Sequence, residues 1–318
     1  MIIKILSSEL SRKVGNALQF NLDREITIEE LKEELTRRFE LKGEFSEFFY
    51  NFSVNGKLVR QEEHKSFKLK NDDVVVIIPS IAGGKIKKLI MDNFSESIAK
   101  YEEFEEKHGF FKSLARKLLE FGEISSKGLY LDIGCGTGII GEIAPQLKVL
   151  GLDVSPEMAR VSKKRMQSIV ADAESLPFRN ESFDAAFFNA SLFLIPNAKR
   201  ALEEALRVVR DGGVVLASYL LGFYEGDEKV VERYGLRHRE VFPSEKIDLM
   251  AEKFDGELLD VTFNVTGEFM KDFYLVPAMA NAIFPRIPYE ERVKRIEETF
   301  NPLPKSLELR CRIMKVRA

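Results

Sequence analysis

Apolar positions recur along this chain with two different periods, and the change of period divides it. From Met1 to Gly84 the pattern is mostly that of short strands. Met1–Leu6 is apolar and β-branched, and Leu18–Leu22 alternates Leu, Phe and Leu with Gln and Asn, so it can bury one face. Thr27 then precedes Ile28, Leu31, Leu35 and Phe39 at helical spacing. Glu30 stands three residues after Thr27, as in a capping box, and Gly43 lies just past the expected helix end. Phe52–Val54 and Lys57–Val59 flank Asn55-Gly56, a hairpin signal, and Asn71-Asp72-Asp73 makes a turn before the buried strand Val74–Ile78. After residue 84 the period lengthens. Ile98, Tyr101, Phe104, Leu114, Leu118 and Leu119 recur every three or four residues, so 85–128 reads as helical. Leu129–Ile133 and Val149–Leu152 then read as strands, with a helix, Ile139–Ala144, between them. Ser306–Val316 alternates as a last strand.

A chain of 318 residues holds about two domains, on the rough prior of 100–200 residues each. An apolar share of 45% beside a charged share of 31% excludes a disordered or fibrous chain. Lys plus Arg is 48 against 51 Asp plus Glu, so no chain-wide basic field for nucleic acid exists. The two cysteines, Cys135 and Cys311, stand far apart, and the three histidines are scattered; neither type suggests a disulfide framework or a metal site. No apolar run approaches the roughly 18–20 residues of a spanning helix, and the N-terminal stretch is short for a signal peptide. The expectation is a cytoplasmic protein without membrane or nucleic-acid partners.

The first segment has the order β-β-α-β-β with its last strand central, that of an α+β β-grasp fold. It ends Val74-Val75-Val76-Ile77-Ile78-Pro79-Ser80-Ile81-Ala82-Gly83-Gly84. This resembles the small sulfur-carrier subunit of molybdopterin synthase and other ubiquitin-like proteins, over all of residues 1–84. In that family the terminal glycine carboxylate is adenylated and converted to a thiocarboxylate or joined to a lysine. Two glycines suit a tail that threads a narrow channel. Here Lys85 follows Gly84, so the carbonyl is an amide and the intact chain has no carboxylate to activate. Either Gly83-Gly84 is a hinge beside a docking module, or cleavage after Gly84 releases a carrier. The partners implied are an adenylating enzyme, a large subunit like that of molybdopterin synthase, or a JAMM-type metalloprotease.

In the second segment, Leu129–Ile133 runs straight into Gly134-Cys135-Gly136-Thr137-Gly138, and a second strand ends at Asp153. Alternate glycines let backbone approach a ligand closely, and an acid at the tip of a second parallel strand can take both ribose hydroxyls. Gly136-Thr137-Gly138-Ile139-Ile140-Gly141 also matches a dinucleotide fingerprint, but its first glycine does not follow the strand directly. The register Asp132-x-Gly134-x-Gly136-x-Gly138 fits better. It resembles motif I of class I S-adenosylmethionine (SAM)-dependent methyltransferases. Leu152–Met158, Val170–Phe178, Phe183–Asn189 and Arg207–Gly213 resemble that family's later motifs in order, with Asp211 where proline is usual. The resemblance implies a Rossmann-like α/β domain over 85–318, mostly parallel, with an antiparallel last strand, and a small-molecule acceptor.

Site residues follow from the resemblance. Gly134, Cys135 and Gly136 would lie under the methionine part of SAM. Asp153 would take the ribose, Val154 and Met158 would wall the adenine, and Asp172 with Ala173 would contact its amino edge. Asn189 would stand near the methyl group, and Tyr101 would cover the methionine end. Asp132 reads as structural, fixing the glycine loop, and Phe187, Phe188 and Phe193 as core. No residue reads as a convincing general base. His238, in an expected surface insertion, Tyr101 and Asp184 are the weak candidates. Leu220–Phe242 and Phe273–Pro288 are candidate lids over the acceptor. The competing reading is a carrier or scaffold protein in molybdenum/tungsten cofactor or sulfur-transfer assembly, without methyl transfer.

Overall fold

A computed structural model of the chain describes residues 1–5, 14–39, 50–59, 63–79, 84–238, 242–285 and 287–318. The N-terminal part holds β1 (Ile2–Ile5), β2 (Ala17–Gln19), β3 (Ile26–Thr27), α1 (Ile28–Arg38), β4 (Tyr50–Val54), β5 (Lys57–Val59), β6 (Lys68–Leu69) and β7 (Val74–Pro79). Its main sheet has the order β2-β1-β7-β4-β5, with β7 parallel to β1 in the centre, the arrangement expected of a β-grasp fold. The capping box forms: Glu30 N donates to Thr27 Oγ1 at 3.1 Å, and Thr27 N donates to Glu30 Oε2 at 2.6 Å. The helix then buries Ile28, Leu31 and Leu35 against Ile3, Phe52, Val75 and Ile77. Gly43 and Gly83 lie outside the described residues.

Gly84 opens α2 (Gly84–His108), followed by α3 (Phe110–Phe121). The expected single helical stretch is therefore broken, at Gly109. Its φ is +59°, and Glu105 accepts hydrogen bonds from Phe111 N at 2.9 Å and Lys112 N at 2.8 Å, capping the new helix. Then come β8 (Leu129–Ile133), α4 (Ile139–Ile143), β9 (Lys148–Asp153), α5 (Pro156–Ser162), β10 (Gln167–Val170), β11 (Phe183–Asn189), α6 (Ala198–Val208), β12 (Val209–Glu225), β13 (Glu228–Lys229), α7 (Val230–Arg233), α8 (Glu245–Lys253), β14 (Glu257–Val265), α9 (Gly267–Leu275), α10 (Pro277–Ile283), α11 (Tyr289–Thr299) and β15 (Leu307–Arg317).

The second sheet runs β10-β9-β8-β11-β12-β15-β14. β8 to β12 are parallel, and β15 inserts antiparallel between β12 and β14. Phe187 and Phe188 are fully buried on opposite faces, in two separate clusters, because helices cover both sides of the sheet. The chain leaves β8 for β9 on one side and returns to β11 on the other. The strand order thus reverses at the carboxyl end of β8, where open α/β sheets leave a crevice.

Two expectations fail in this half. The described residues of Leu220–Phe242 form no lid: β12 continues to Glu225, and Phe223, Val230, Val231 and Phe242 are buried in the core. His238 is no surface residue: it is 6% exposed, packed between Tyr224 and Phe242. No described helix is long and apolar enough to cross a membrane.

Thr27→Ala removes the cap of α1 and is expected to destabilise the β-grasp part by about 1 kcal/mol. Native-state hydrogen exchange of the β1 and β7 amides reads this directly; unchanged protection there contradicts the capping role.

Candidate functional site

The crevice is built from the turn after β8. Gly134, Gly136 and Gly138 all have positive φ, at +72°, +53° and +90°. A Cβ on Gly134 would meet the Ser191 Cβ at 2.6 Å, whereas one on Gly136 would meet nothing within 4 Å. The turn is close-packed behind and bare in front. Gly134 N and Cys135 N both donate to Leu152 O, at 2.7 and 3.0 Å, and Gly136 N donates to Asp153 Oδ2 at 2.8 Å. Asp153 also accepts from Ser155 N at 2.8 Å, and Ser155 caps α5 through Met158 N at 3.1 Å. One carboxylate therefore fixes the glycine turn, Val154 and the start of the helix that carries Met158.

The other walls converge on the same space. Asp172 follows β10 and accepts from Glu174 N at 3.0 Å. Asn189 ends β11, where Ser218 Oγ donates to its Oδ1 at 3.0 Å and sets the direction of the amide. Ala190, next in the chain, has a φ of +54° and donates its N–H to Ser218 Oγ at 2.9 Å. Tyr101 of α2 stacks on Phe111 of α3, ring centroids 5.0 Å apart and 24° from parallel. Two serines stitch α2 over the cavity: Ser95 shares a hydrogen bond with Ser155, 2.9 Å between hydroxyls, and Ser97 accepts from Ala278 N of α10 at 2.9 Å.

The result is one cavity with about 1080 Å³ of non-protein space, its open mouth included. Tyr101, Gly134, Cys135, Gly136, Asp153, Val154, Met158, Asp172, Ala173 and Asn189 all line it. Phe94, Phe111, Asp132, Ile195 and Met279 line it too and were not anticipated as contacts. Met279 comes from the second candidate lid, and Phe94 lies on the same helix as Tyr101; Phe111 was not among the periodic positions that the sequence singled out.

The electrostatics are one-sided. Asp132, Asp153 and Asp172 are all buried, and no Lys, Arg or His stands among the described lining residues. Asp132 is 2% exposed and its Oδ1 has no hydrogen-bond partner among the described residues. Burial, and then the neighbouring Asp153 charge, push its carboxyl up to about 8. Burial raises Asp153 to about 6, against the pull of its backbone N–H donors. Burial and the same carboxylates hold the Cys135 thiol and the Tyr101 phenol in their protonated forms. Asp132 therefore does not fix the glycine loop, as the sequence suggested; Asp153 does. His238 lies outside the cavity, and burial lowers the affinity of its imidazole for a proton. Asp184 is also remote, held by Leu129 N at 2.7 Å and Arg210 at 2.9 Å.

A carboxyl raised from about 4 in the unfolded chain to about 8 when folded contributes stability below pH 4. That contribution is lost as pH rises to 8. Asp132→Asn is accordingly expected to stabilise the free protein at pH 8 by about 1–3 kcal/mol, with a smaller gain at pH 5. Urea midpoints at the two pH values test this; a loss of stability at pH 8 would show the carboxylate to be a structural partner.

Comparison with known proteins agrees with the two folds. Residues 131–217 match the family described as "Methyltransferase domain", and residues 5–84 match the ThiS family. An uncharacterized protein of Methanocaldococcus jannaschii is 38% identical over 138 residues, 41% of this chain and 51% of that protein. The malonyl-[acyl-carrier protein] O-methyltransferase of Hamiltonella defensa is 34% identical over 139 residues, 42% of this chain and 53% of that enzyme. The chain thus spans about half the length of these curated relatives. A solved structure of Haemonchus contortus phosphoethanolamine N-methyltransferase 2, with phosphomonomethylethanolamine and S-adenosylhomocysteine, aligns over 85% of this chain and 67% of that one. Its TM-score is 0.50 at 17% identity, a likeness of fold. The chain joins a β-grasp domain of the ThiS family to a methyltransferase domain with the class I fold.

Proposed function

We propose that this chain is a SAM-dependent methyltransferase acting on a small-molecule acceptor, with a sulfur-carrier-like domain at residues 1–84 and the methyltransferase domain at 85–318. The observation that carries the reading is the cavity: bare backbone at Gly136 beside the buried carboxyls Asp132, Asp153 and Asp172, with no Lys, Arg or His among the described lining residues. A buried carboxyl such as Asp132, its Oδ1 without a hydrogen-bond partner among the described residues, suits a ligand that brings its own positive charge. SAM, when bound, supplies a methyl group already activated by a positively charged sulfur.

The residues present fit that ligand. Asp153 accepts backbone N–H groups, from Gly136 on one oxygen and Ser155 on the other, and a carboxylate held this way suits a ribose hydroxyl as a further donor. Asp172 and the backbone of Ala173 suit the adenine amino edge, between the apolar walls of Val154 and Met158. Gly134, Cys135 and Gly136 admit the methionine portion; Tyr101 covers it and keeps water away. Asp132 answers the positive charge. Asn189 stands toward the acceptor. Cavity geometry contributes by holding donor and acceptor together, the main requirement when the transferred group is already activated.

Calorimetry with SAM and S-adenosylhomocysteine tests this. Both are expected to bind the full chain, and Asp153→Ala, checked for folding by circular dichroism, is expected to weaken both at least tenfold. No heat with wild-type protein, or unchanged affinity in the variant, contradicts the proposal.

The ThiS match and the Gly83-Gly84 pair favour a second role for the N-terminal part. Cleavage after Gly84 would free a carboxylate for an adenylating enzyme; a JAMM-type protease and a partner like the molybdopterin synthase large subunit suit that chemistry. The intact mass of protein purified from its source, with the protease present, decides. A fragment ending at Gly84 supports release; full-length chain alone overturns it.

A further inference from the structure

Apart from methyl transfer, we propose that the outer edge of β14 joins two copies of this chain, the two strands pairing antiparallel so that both sheets run on as one. β14 is the last strand of the second sheet, and among the described residues no strand pairs with its outer side. Its pairing with β15 runs from Glu257 opposite Lys315 to Val265 opposite Leu307 without a register shift, so nine residues present an unbroken outer edge. The outward N–H and C=O groups of such an edge are a template for another strand.

Natural sheets blunt their edges with short strands, lysines, prolines or bulges. The other outer strands of the two larger sheets are short: β10 has four residues, β2 and β5 three each. β14 carries none of these devices. Its sequence, Glu-Leu-Leu-Asp-Val-Thr-Phe-Asn-Val, holds no lysine, arginine, proline or glycine. Its two acids are answered from β15, within the same sheet: Asp260 by Arg312 at 2.5 Å and Glu257 by Arg317 at 3.2 Å. Apolar side chains also gather at this edge. Five large hydrophobic side chains are exposed among the described residues, and Leu258 and Leu259 of β14 are two of them. A third, Leu249, is 65% exposed and follows Asp248 of α8, which shares Arg312 with Asp260.

A second copy fits this edge in charge and in polarity. A two-fold axis through Val261, the middle of the strand, gives the longest overlap. Leu259 then faces Phe263, Val261 faces its counterpart and Leu258 faces Asn264. Each acid faces an uncharged residue, Glu257 opposite Val265 and Asp260 opposite Thr262. The two Asp260 side chains come diagonal to one another, each already held by its own Arg312. The contact is closed, since the same strand serves on both sides, and association stops at two. The cavity opens at the end of β8, well inside the sheet, so each copy keeps its own.

Sedimentation equilibrium of the full chain between about 1 and about 200 µM, where interfaces of modest size dissociate, reads the oligomeric state. A dimer is expected. Leu258→Lys and Leu259→Lys, each at an exposed position and checked for folding by circular dichroism, are expected to raise its dissociation constant at least tenfold. Hydrogen exchange needs no variant. In a monomer alternate β14 amides face water and exchange freely, whereas in the dimer they are expected to be protected along with the rest of the strand. A chain that stays monomeric overturns the proposal and leaves the edge to a strand of another protein. A dimer that both lysine variants leave intact, or one in which alternate β14 amides still exchange freely, overturns it as well.

Discussion

Three buried carboxyls line one cavity with no positive side chain among its described lining residues, and β8 with the turn after it, and the ends of β9 and β10, hold them there. Moving an anion from water into a protein interior is costly unless something pairs with it. The free protein moderates this at neutral pH by keeping the Asp132 proton. Asp132 rises to about 8 and Asp153 to about 6. Such a site is tuned for a visitor of opposite charge. Its acids are a burden without that visitor and an attraction in its presence.

The backbone explains how the acids are kept so close. β8 stands where the strand order reverses, so the ends of β8, β9 and β11 open into one crevice. Asp153 binds the turn after β8 through Gly136 N and the cap of α5 through Ser155 N. Above them α2 is fastened on two sides, by Ser95 to Ser155 and by Ser97 to Ala278. Floor and roof therefore share hydrogen bonds, and a ligand in the crevice would touch both. α2 begins at Gly84, so the helix that carries Phe94 and Tyr101 follows directly on the tail of the ThiS-family domain.

Spacing, together with the family resemblance, disclosed the floor of this site. An alternating glycine turn after a strand, and acids at the next two strand ends, are local patterns, and the structure brings Gly134, Gly136, Asp153 and Asp172 to one cavity. Features that depend on distant packing were hidden. Nothing near Asp132 in the chain says that its carboxylate would go without a partner, because Asp153 makes the contact expected of it. His238 sits among charged residues, so burial between Tyr224 and Phe242 left no trace in the local pattern. Gly109 breaks a helix whose periodicity runs on through it, since the cap, Glu105, is itself a helical residue of ordinary type. Leu220–Phe242 read as a candidate lid because β12 and its pairing with β15 extend well past the last glycine-marked motif.

The account stands on the claim that the buried acids await a cation, and proton release reports on that claim most directly. SAM binding at pH 7 can be followed by calorimetry in two buffers of different ionisation enthalpy. The predicted result is release of close to one proton per SAM bound, as Asp132 ionises beside the positive ligand, and its disappearance in Asp132→Asn. Binding enthalpies identical in the two buffers would contradict it.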